Sequence, residues 1–206
     1  DINKTNLDRG LDLVEQITGQ KPDAYLGDEY YYRKLLERDD LDAVMIATPG
    51  DGHALQSVDA MQAGKHVGCE VTAGYETEQL HELIRTKEQT GKHFMLLENY
   101  IYTQQNMAMY NIVRNGIMGD TYYGECSYIH DCTNLMFDSQ GNMTWRGQAH
   151  AREPRGNTYS THSLGPMCKW LGINEGDRFE YLTSMHSRSP YPEAYIKRKF
   201  GEDSPQ

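Results

Sequence analysis

Short strand-like runs that alternate with stretches of helical periodicity constrain this chain more than any other feature of its sequence. Asp42-Ala43-Val44-Met45-Ile46-Ala47 ends at Thr48-Pro49-Gly50, Lys65 to Glu70 follows, and Phe94-Met95-Leu96-Leu97 comes last. A short continuous apolar run marks a strand covered on both faces, as in a parallel sheet. Between the runs, His53 to Ala63 is helical in pattern and ends at Gly64. Glu76 to Thr90 carries Leu80, Leu83 and Ile84 on one face and ends at Gly91. Upstream, Leu7, Leu11, Leu13, Val14 and Ile17 recur at helical spacing before Gly19; Tyr25-Leu26 suits a short strand and Tyr30 to Glu37 a helix. The alternation predicts βαβ units, right-handed crossovers and a parallel sheet, an α/β fold.

The pattern changes after Asn99. A helix is expected from about Gln104 to Arg114, then a longer strand from Tyr122 to Ile129. The stretch from Asp131 to Asn157 reads as a loop, and one this long is either functional or holds further structure. A helix over His162 to Leu171 and a strand over Phe179 to His186 complete the reading, with no further clear hydrophobic element before Ser204-Pro205-Gln206. The alternation stops near Tyr122, so one domain is placed at 1–121 and the start of an α+β domain at 122–206.

Composition excludes several classes. With 30 acidic and 20 basic residues the formal charge is -10, a field that repels nucleic-acid backbones, and Lys197-Arg198-Lys199 is the densest basic cluster. No apolar run approaches the roughly 20 residues of a membrane helix. Cys69, Cys126, Cys132 and Cys168 form no C-x-x-C pair, so neither a metal site nor a dense disulfide framework is expected.

A parallel sheet binds ligands at the carboxyl ends of its strands, and a dinucleotide domain opens with a G-x-G-x-x-G turn followed by an acidic residue that holds the ribose. The glycine fingerprint is absent here, yet Asp1 stands before a helix where that acidic residue belongs. Asp1 could equally cap the helix. The order of the elements after it favours the cofactor reading: a Rossmann-type parallel sheet lacking its first strand and glycine-rich turn. On that reading the N-terminus is missing and the compartment, cytoplasmic or exported, stays open. A sheet without that strand exposes an apolar edge, and the chain is expected to be poorly stable alone.

Ala47-Thr48-Pro49, Gly50-Asp51-Gly52-His53, Ala63-Gly64-Lys65-His66-Val67 and Cys69-Glu70 together resemble the Gfo/Idh/MocA group of NAD(P)-dependent oxidoreductases. Glu70-Val71-Thr72 stands where that group has E-K-P, so the usual catalytic lysine is absent. Glu98-Asn99-Tyr100-Ile101-Tyr102, Gly124-Glu125, Tyr128-Ile129-His130-Asp131, Trp145-Arg146 and Gly156 to Pro166 resemble the family 109 glycoside hydrolases, which carry N-x-Y-P-T-H-G-L-G-P and E-V-P. Gly50, Gly52, Ser160 and Ser163 depart from the family pattern.

The resemblance implies NAD as cofactor and a sugar or glycoside as substrate. It implies cleavage of N-acetylgalactosaminides by transient oxidation at C3, elimination, water addition and re-reduction, the cofactor carrying the hard step. The alternatives are a sugar dehydrogenase with net hydride transfer to NAD(P), or a chain that only binds sugar or cofactor. Family members pair through an open sheet of the second domain, which implies a homo-oligomer. His162 is the first catalytic candidate, since an imidazole titrates near neutrality; taken alone it could cap the helix that follows. Tyr102, the tyrosine of E-N-x-x-Y, is the second, although the chain has 15 tyrosines. Tyr159 shares the proton work or holds substrate, with Asn157 beside it. Arg146 could bind sugar hydroxyls while Trp145 stacks on the ring, or the two could anchor a loop. Asp1, Thr48, Pro49, His53, Glu70 and Asn99 fall where the cofactor is expected; His53 could also begin a helix and Asn99 a turn.

Overall fold

In the computed structural model, residues 1–152, 159–185 and 191–201 are described, and they divide into two compact units, Asp1–Leu96 and Leu97–Gln206. In the first unit, β1 (Ala43–Ile46), β2 (His66–Cys69) and β3 (Phe94–Leu96) form a parallel sheet in that order. Ala43 pairs with His66 and Ile46 with Cys69; Val67 pairs with Phe94 and Cys69 with Leu96. The crossovers are α3 (His53–Gln62) and α4 (Thr77–Thr90), which pack against each other. Two crossovers of one hand stepping in one direction place both helices on one face of a sheet.

Side-chain alternation builds the core on that face. Ile46, Val67 and Cys69 meet Ala54, Ala60 and Met61 of α3, Leu83 of α4 and Leu36, all buried. The intervening residues point the other way, and Met45 is 81% exposed. Local signals set the helix ends. Glu76 and Gln79 form a capping box at the start of α4, and Gly91 closes it at φ 67°, a left-handed conformation that costs glycine little. Helix α1 (Lys4–Thr18) is capped by the Asn3 side chain, which accepts from Asn6 N, and ends at Gly19. Its apolar stripe is not covered: Leu13, Val14 and Ile17 are exposed.

The strands are covered on one face only, against the expectation of burial on both, because both crossover helices lie on the same side, and two expected elements fail. Tyr25-Leu26 forms no strand, having no partner to pair with, and within Tyr30 to Glu37 only Arg33–Leu36 (α2) is helical. What holds α2 is its neighbour: Tyr32 Oη donates to Asp59 of α3 at 2.5 Å, and Arg33 Nε pairs with the same carboxylate at 2.8 Å.

The second unit opens with a 3₁₀ turn, Tyr100–Tyr102, and α5 (Gln104–Arg114). Helix α8 (Thr161–Trp170) packs on both, and Trp170 Nε1 donates to Asn106 O of α5 at 3.1 Å. The expected loop holds α6 (Thr133–Met136) and α7 (Trp145–Arg152), and α9 (Tyr191–Phe200) lies in a stretch where no element was expected. The predicted strands at Tyr122–Ile129 and from Phe179 do not form: among the described residues this unit has only isolated bridges, Phe137 with Met143 and Ile173 with Asp177. Residues 121–130 run without a sheet partner, and Tyr122 is 96% exposed. β-propensity without a neighbouring strand leaves the backbone groups to water.

Burial and the Asp59 carboxylate push the Tyr32 phenol up to about 12. A group raised in the folded state stabilises fully below its unfolded value and loses that contribution as pH climbs through the folded one. The urea midpoint should therefore fall between about pH 10 and pH 12, and Tyr32→Phe should flatten that fall, as followed by circular dichroism.

Candidate active site

The carboxyl edge of the sheet carries the residues expected to meet a cofactor. The chain leaves β1 through Thr48 and Pro49 into a 3₁₀ turn, Gly50–Gly52, and then enters α3. Gly50 is buried, and a Cβ there would stand 2.6 Å from the Tyr75 hydroxyl, so any side chain would have to displace that phenol. His53, only 1% exposed, ties two strand exits together: Nδ1 lies 2.6 Å from Thr72 O and Nε2 2.7 Å from Thr48 O. Both ring nitrogens face backbone carbonyls, so the His53 ring is seated at this edge. Thr48 Oγ1 donates to Gln56 at 2.7 Å, and Glu70 is exposed just past β2, its backbone N donating to Ile46 O. Thr72 Oγ1 is buried without a hydrogen-bond partner among the described residues. Asp1 is exposed and accepts from Asn3 N, the residue that caps α1.

The second unit buries a carboxylate. Glu98 is 4% exposed; it accepts from Tyr100 N at 2.7 Å and from His162 Nδ1, which lies 3.0 Å from both of its oxygens. A carboxylate only accepts, so Nδ1 carries a proton. Among the described residues Nε2 has no partner. Around the imidazole stand three tyrosines: Tyr100 at 4.6 Å between ring centroids, Tyr128 at 4.9 Å and Tyr159 at 5.4 Å. The Tyr128 phenol, raised by desolvation and by Tyr100, stays protonated at neutral pH, and its hydroxyl lies 3.1 Å from His130 Nδ1.

Sequence and geometry set α8 close to Glu98. A Cβ on Gly165 would stand 2.8 Å from Glu98 Cγ and 3.3 Å from Ile101, so only glycine permits this approach. Pro166, buried within the helix, has no N–H to give the His162 carbonyl.

Of the catalytic candidates, His162 and Tyr159 come together. Tyr102 is 62% exposed and makes no ring contact with His162 among the described residues; Tyr100, two positions earlier on the 3₁₀ turn, does so instead. Arg146 stacks 4.8 Å over Trp145 and 5.8 Å over Tyr159, joining the expected sugar-binding pair to the aromatic wall. Asn157 lies outside the described residues. Asn99 is exposed and precedes the 3₁₀ turn, accepting from Tyr102 N at 3.1 Å. Glu98 and Tyr128 were in view only as letters of motifs; a glutamate beside four strand-like residues gave no sign that it would be buried. Among the described residues no group of three His, Cys, Asp or Glu is placed to hold a metal ion, and no helix is long and apolar enough to cross a membrane.

Residues 102–206 match the family model described as glycosyl hydrolase 109, C-terminal domain, and residues 6–98 match the oxidoreductase family, NAD-binding Rossmann fold. The chain belongs to glycosyl hydrolase family 109. It is 38% identical over 204 residues to a glycosyl hydrolase family 109 protein of Shewanella woodyi and to an alpha-N-acetylgalactosaminidase of Shewanella oneidensis. Each match takes in 98% of this chain and 44% of the relative, so the chain spans less than half the length of these curated relatives. Among solved structures, a myo-inositol 2-dehydrogenase of Lactobacillus plantarum superposes with a TM-score of 0.64 at 17% identity, covering 84% of this chain and 47% of that one. An oxidoreductase domain protein of Kribbella flavida gives 0.63 at 21% identity, covering 80% and 43%. At these identities the two share the fold: a Rossmann-type parallel sheet of the family 109 and Gfo/Idh/MocA enzymes.

Gly165→Ala should break the seat of His162. The expected result is a loss of about 1–3 kcal/mol in urea unfolding, as for other overpacked cores. The Nδ1–H proton resonance of His162 should also disappear from the low-field spectrum.

Proposed function

We propose that this chain serves the NAD-dependent hydrolysis of N-acetylgalactosaminides, with Glu98 and His162 as its proton-transfer pair. The observation that carries the reading is the buried Glu98–His162 hydrogen bond inside a wall of tyrosines, in a chain of family 109. The name of the Shewanella oneidensis relative supports the choice of sugar.

The first unit fits part of the cofactor. A parallel sheet presents Glu70 at its carboxyl edge, and Thr72 Oγ1 is a buried hydroxyl close by, unpaired among the described residues. Glu70 would hold the nicotinamide ribose hydroxyls, Thr48 and Pro49 would shape the turn beside them, and Asn99 and Asp1 remain candidates for the nicotinamide and adenosine sides. No G-x-G-x-x-G occurs in the 206 residues, so no residue is assigned to the pyrophosphate. When bound, NAD supplies a hydride acceptor and the matching donor, which lets a sugar carbon be oxidised and restored.

The chain's own residues supply the proton work. His162 Nε2 takes the proton of a sugar hydroxyl as its carbon is oxidised. Glu98 fixes the tautomer and stabilises the imidazolium that results, as a buried carboxylate does for a histidine base. Tyr128, kept neutral, packs its ring edge-on against the same imidazole and shields it from water. Tyr159 and Arg146 hold sugar hydroxyls, and Trp145, 50% exposed, offers a face for the ring. Tyr102 and Asn157 are secondary candidates for the proton and substrate roles.

The test is release of a chromophore from an aryl α-N-acetylgalactosaminide, with NADH absorbance followed in the same cuvette. Chromophore release without build-up of NADH is expected. Stoichiometric NADH from a free sugar, with no chromophore, would replace this reading with a sugar dehydrogenase. His162→Gln should lower kcat by about 10²–10⁴, the range for removal of a general base, with NAD affinity unchanged by fluorescence titration. Glu98→Gln should lower kcat as well and move the pH profile.

A further inference from the structure

The Tyr128–His130 contact leads along the chain to a second feature. Tyr128 leans on His162, its hydroxyl lies 3.1 Å from His130 Nδ1, and Asp131 follows as a wall of a cavity of about 450 Å³. That volume lies within the usual range for small-ligand pockets. Helices α6 and α9 and the turn between Phe137 and Met143 line it, and it is open to solvent.

Its lining is aromatic on one side and polar on the other. Phe137 and Tyr195 stand 5.4 Å apart at 32°, a tilted pair of apolar faces. Lys199 Nζ donates to Tyr195 Oη at 2.7 Å. Asp131 Oδ1 accepts from Thr133 N and Oγ1 at 3.0 and 2.6 Å, which holds the carboxyl below its usual range. Its Oδ2 has no partner among the described residues, and the side chains of Asn134 and Ser139 likewise carry no hydrogen bond there. Asp138, by contrast, is consumed by its own turn, accepting from Gln140 N, Asn142 N and Asn142 Nδ2. One free carboxylate oxygen beside neutral amide and hydroxyl groups suits a hydroxylated ligand better than a cation.

We propose that this cavity is a saccharide subsite, taking the ring of the group that leaves when the glycosidic bond is cut. The C–H face of a neutral sugar would lie on Tyr195, which the buried Phe137 backs, while adjacent hydroxyls donate to Asp131 Oδ2 and exchange hydrogen bonds with Asn134 and Ser139. The assignment rests on the glycosidase reading for its role, and on the cavity alone for its ligand class.

The probe is methyl β-galactopyranoside, titrated into the 206-residue chain and followed by saturation-transfer NMR with irradiation of aromatic protons. Saturable binding is expected, with transfer strongest to ring C–H protons. Asp131→Asn keeps the acceptor for Thr133 but loses the charge, and should weaken binding about tenfold. Should that variant fail to fold by circular dichroism, the exposed Asn134→Ala decides, with about threefold weakening expected. Absence of saturable binding to the folded chain, or equal affinity in the folded variants, overturns the subsite. Binding that persists in a protein that releases no chromophore keeps the sugar site and overturns the glycosidase reading. Chromophore release without hexoside binding does the reverse.

Discussion

A carboxylate taken out of water must be met by donors or give up its charge, and the second unit is built around how Glu98 meets that demand. Burial of an unpaired carboxylate would cost many kcal/mol, so the fold brings two donors to it, the Tyr100 N–H and the His162 imidazole. The first comes from local chain geometry as the 3₁₀ turn opens. The second needs α8 to approach closely, and that in turn needs Gly165, whose missing side chain is the space Glu98 Cγ and Ile101 occupy. The tyrosines then close over the imidazole and lower its access to water. One buried charge thus explains a glycine, a helix position and an aromatic wall.

The first unit depends on a different constraint, the pairing of parallel strands whose exits must be held for a ligand. Its helices cover one face, and the core of Ile46, Val67, Cys69, Met61 and Leu83 fixes the strands. What shapes the carboxyl edge is His53, whose ring nitrogens face the carbonyls of Thr48 and Thr72 across two strand exits. A histidine expected from its motif to meet the cofactor also braces that edge through its ring contacts. The apolar stripe of α1 and the bare face around Met45 lie outside this packing.

Legibility followed the range of the interactions. Elements whose signals are local were readable: α5 falls on Gln104–Arg114 as its spacing predicts, and α3, α4, β1, β2 and β3 agree to within a residue or two at their ends. Elements that need a distant partner were not. Tyr25-Leu26 and Tyr122–Ile129 have strand-like composition and no ladder, because a strand exists only when another lies beside it. Helix α9 escaped notice for the converse reason: its few apolar residues, such as Ile196, are buried by tertiary packing that its polar sequence does not advertise.

The sequence by itself determined the parallel α/β unit and the family and drew attention to His162, since each is written in periodicity or in contiguous motifs. Tertiary structure alone decided that Glu98 is the partner of His162, across 64 positions of sequence. It also decided that Tyr100 and Tyr128 face the imidazole while Tyr102 faces water. Which of several tyrosines meets a histidine depends on turn geometry and helix approach, and neither is a property of any residue read in order along the chain.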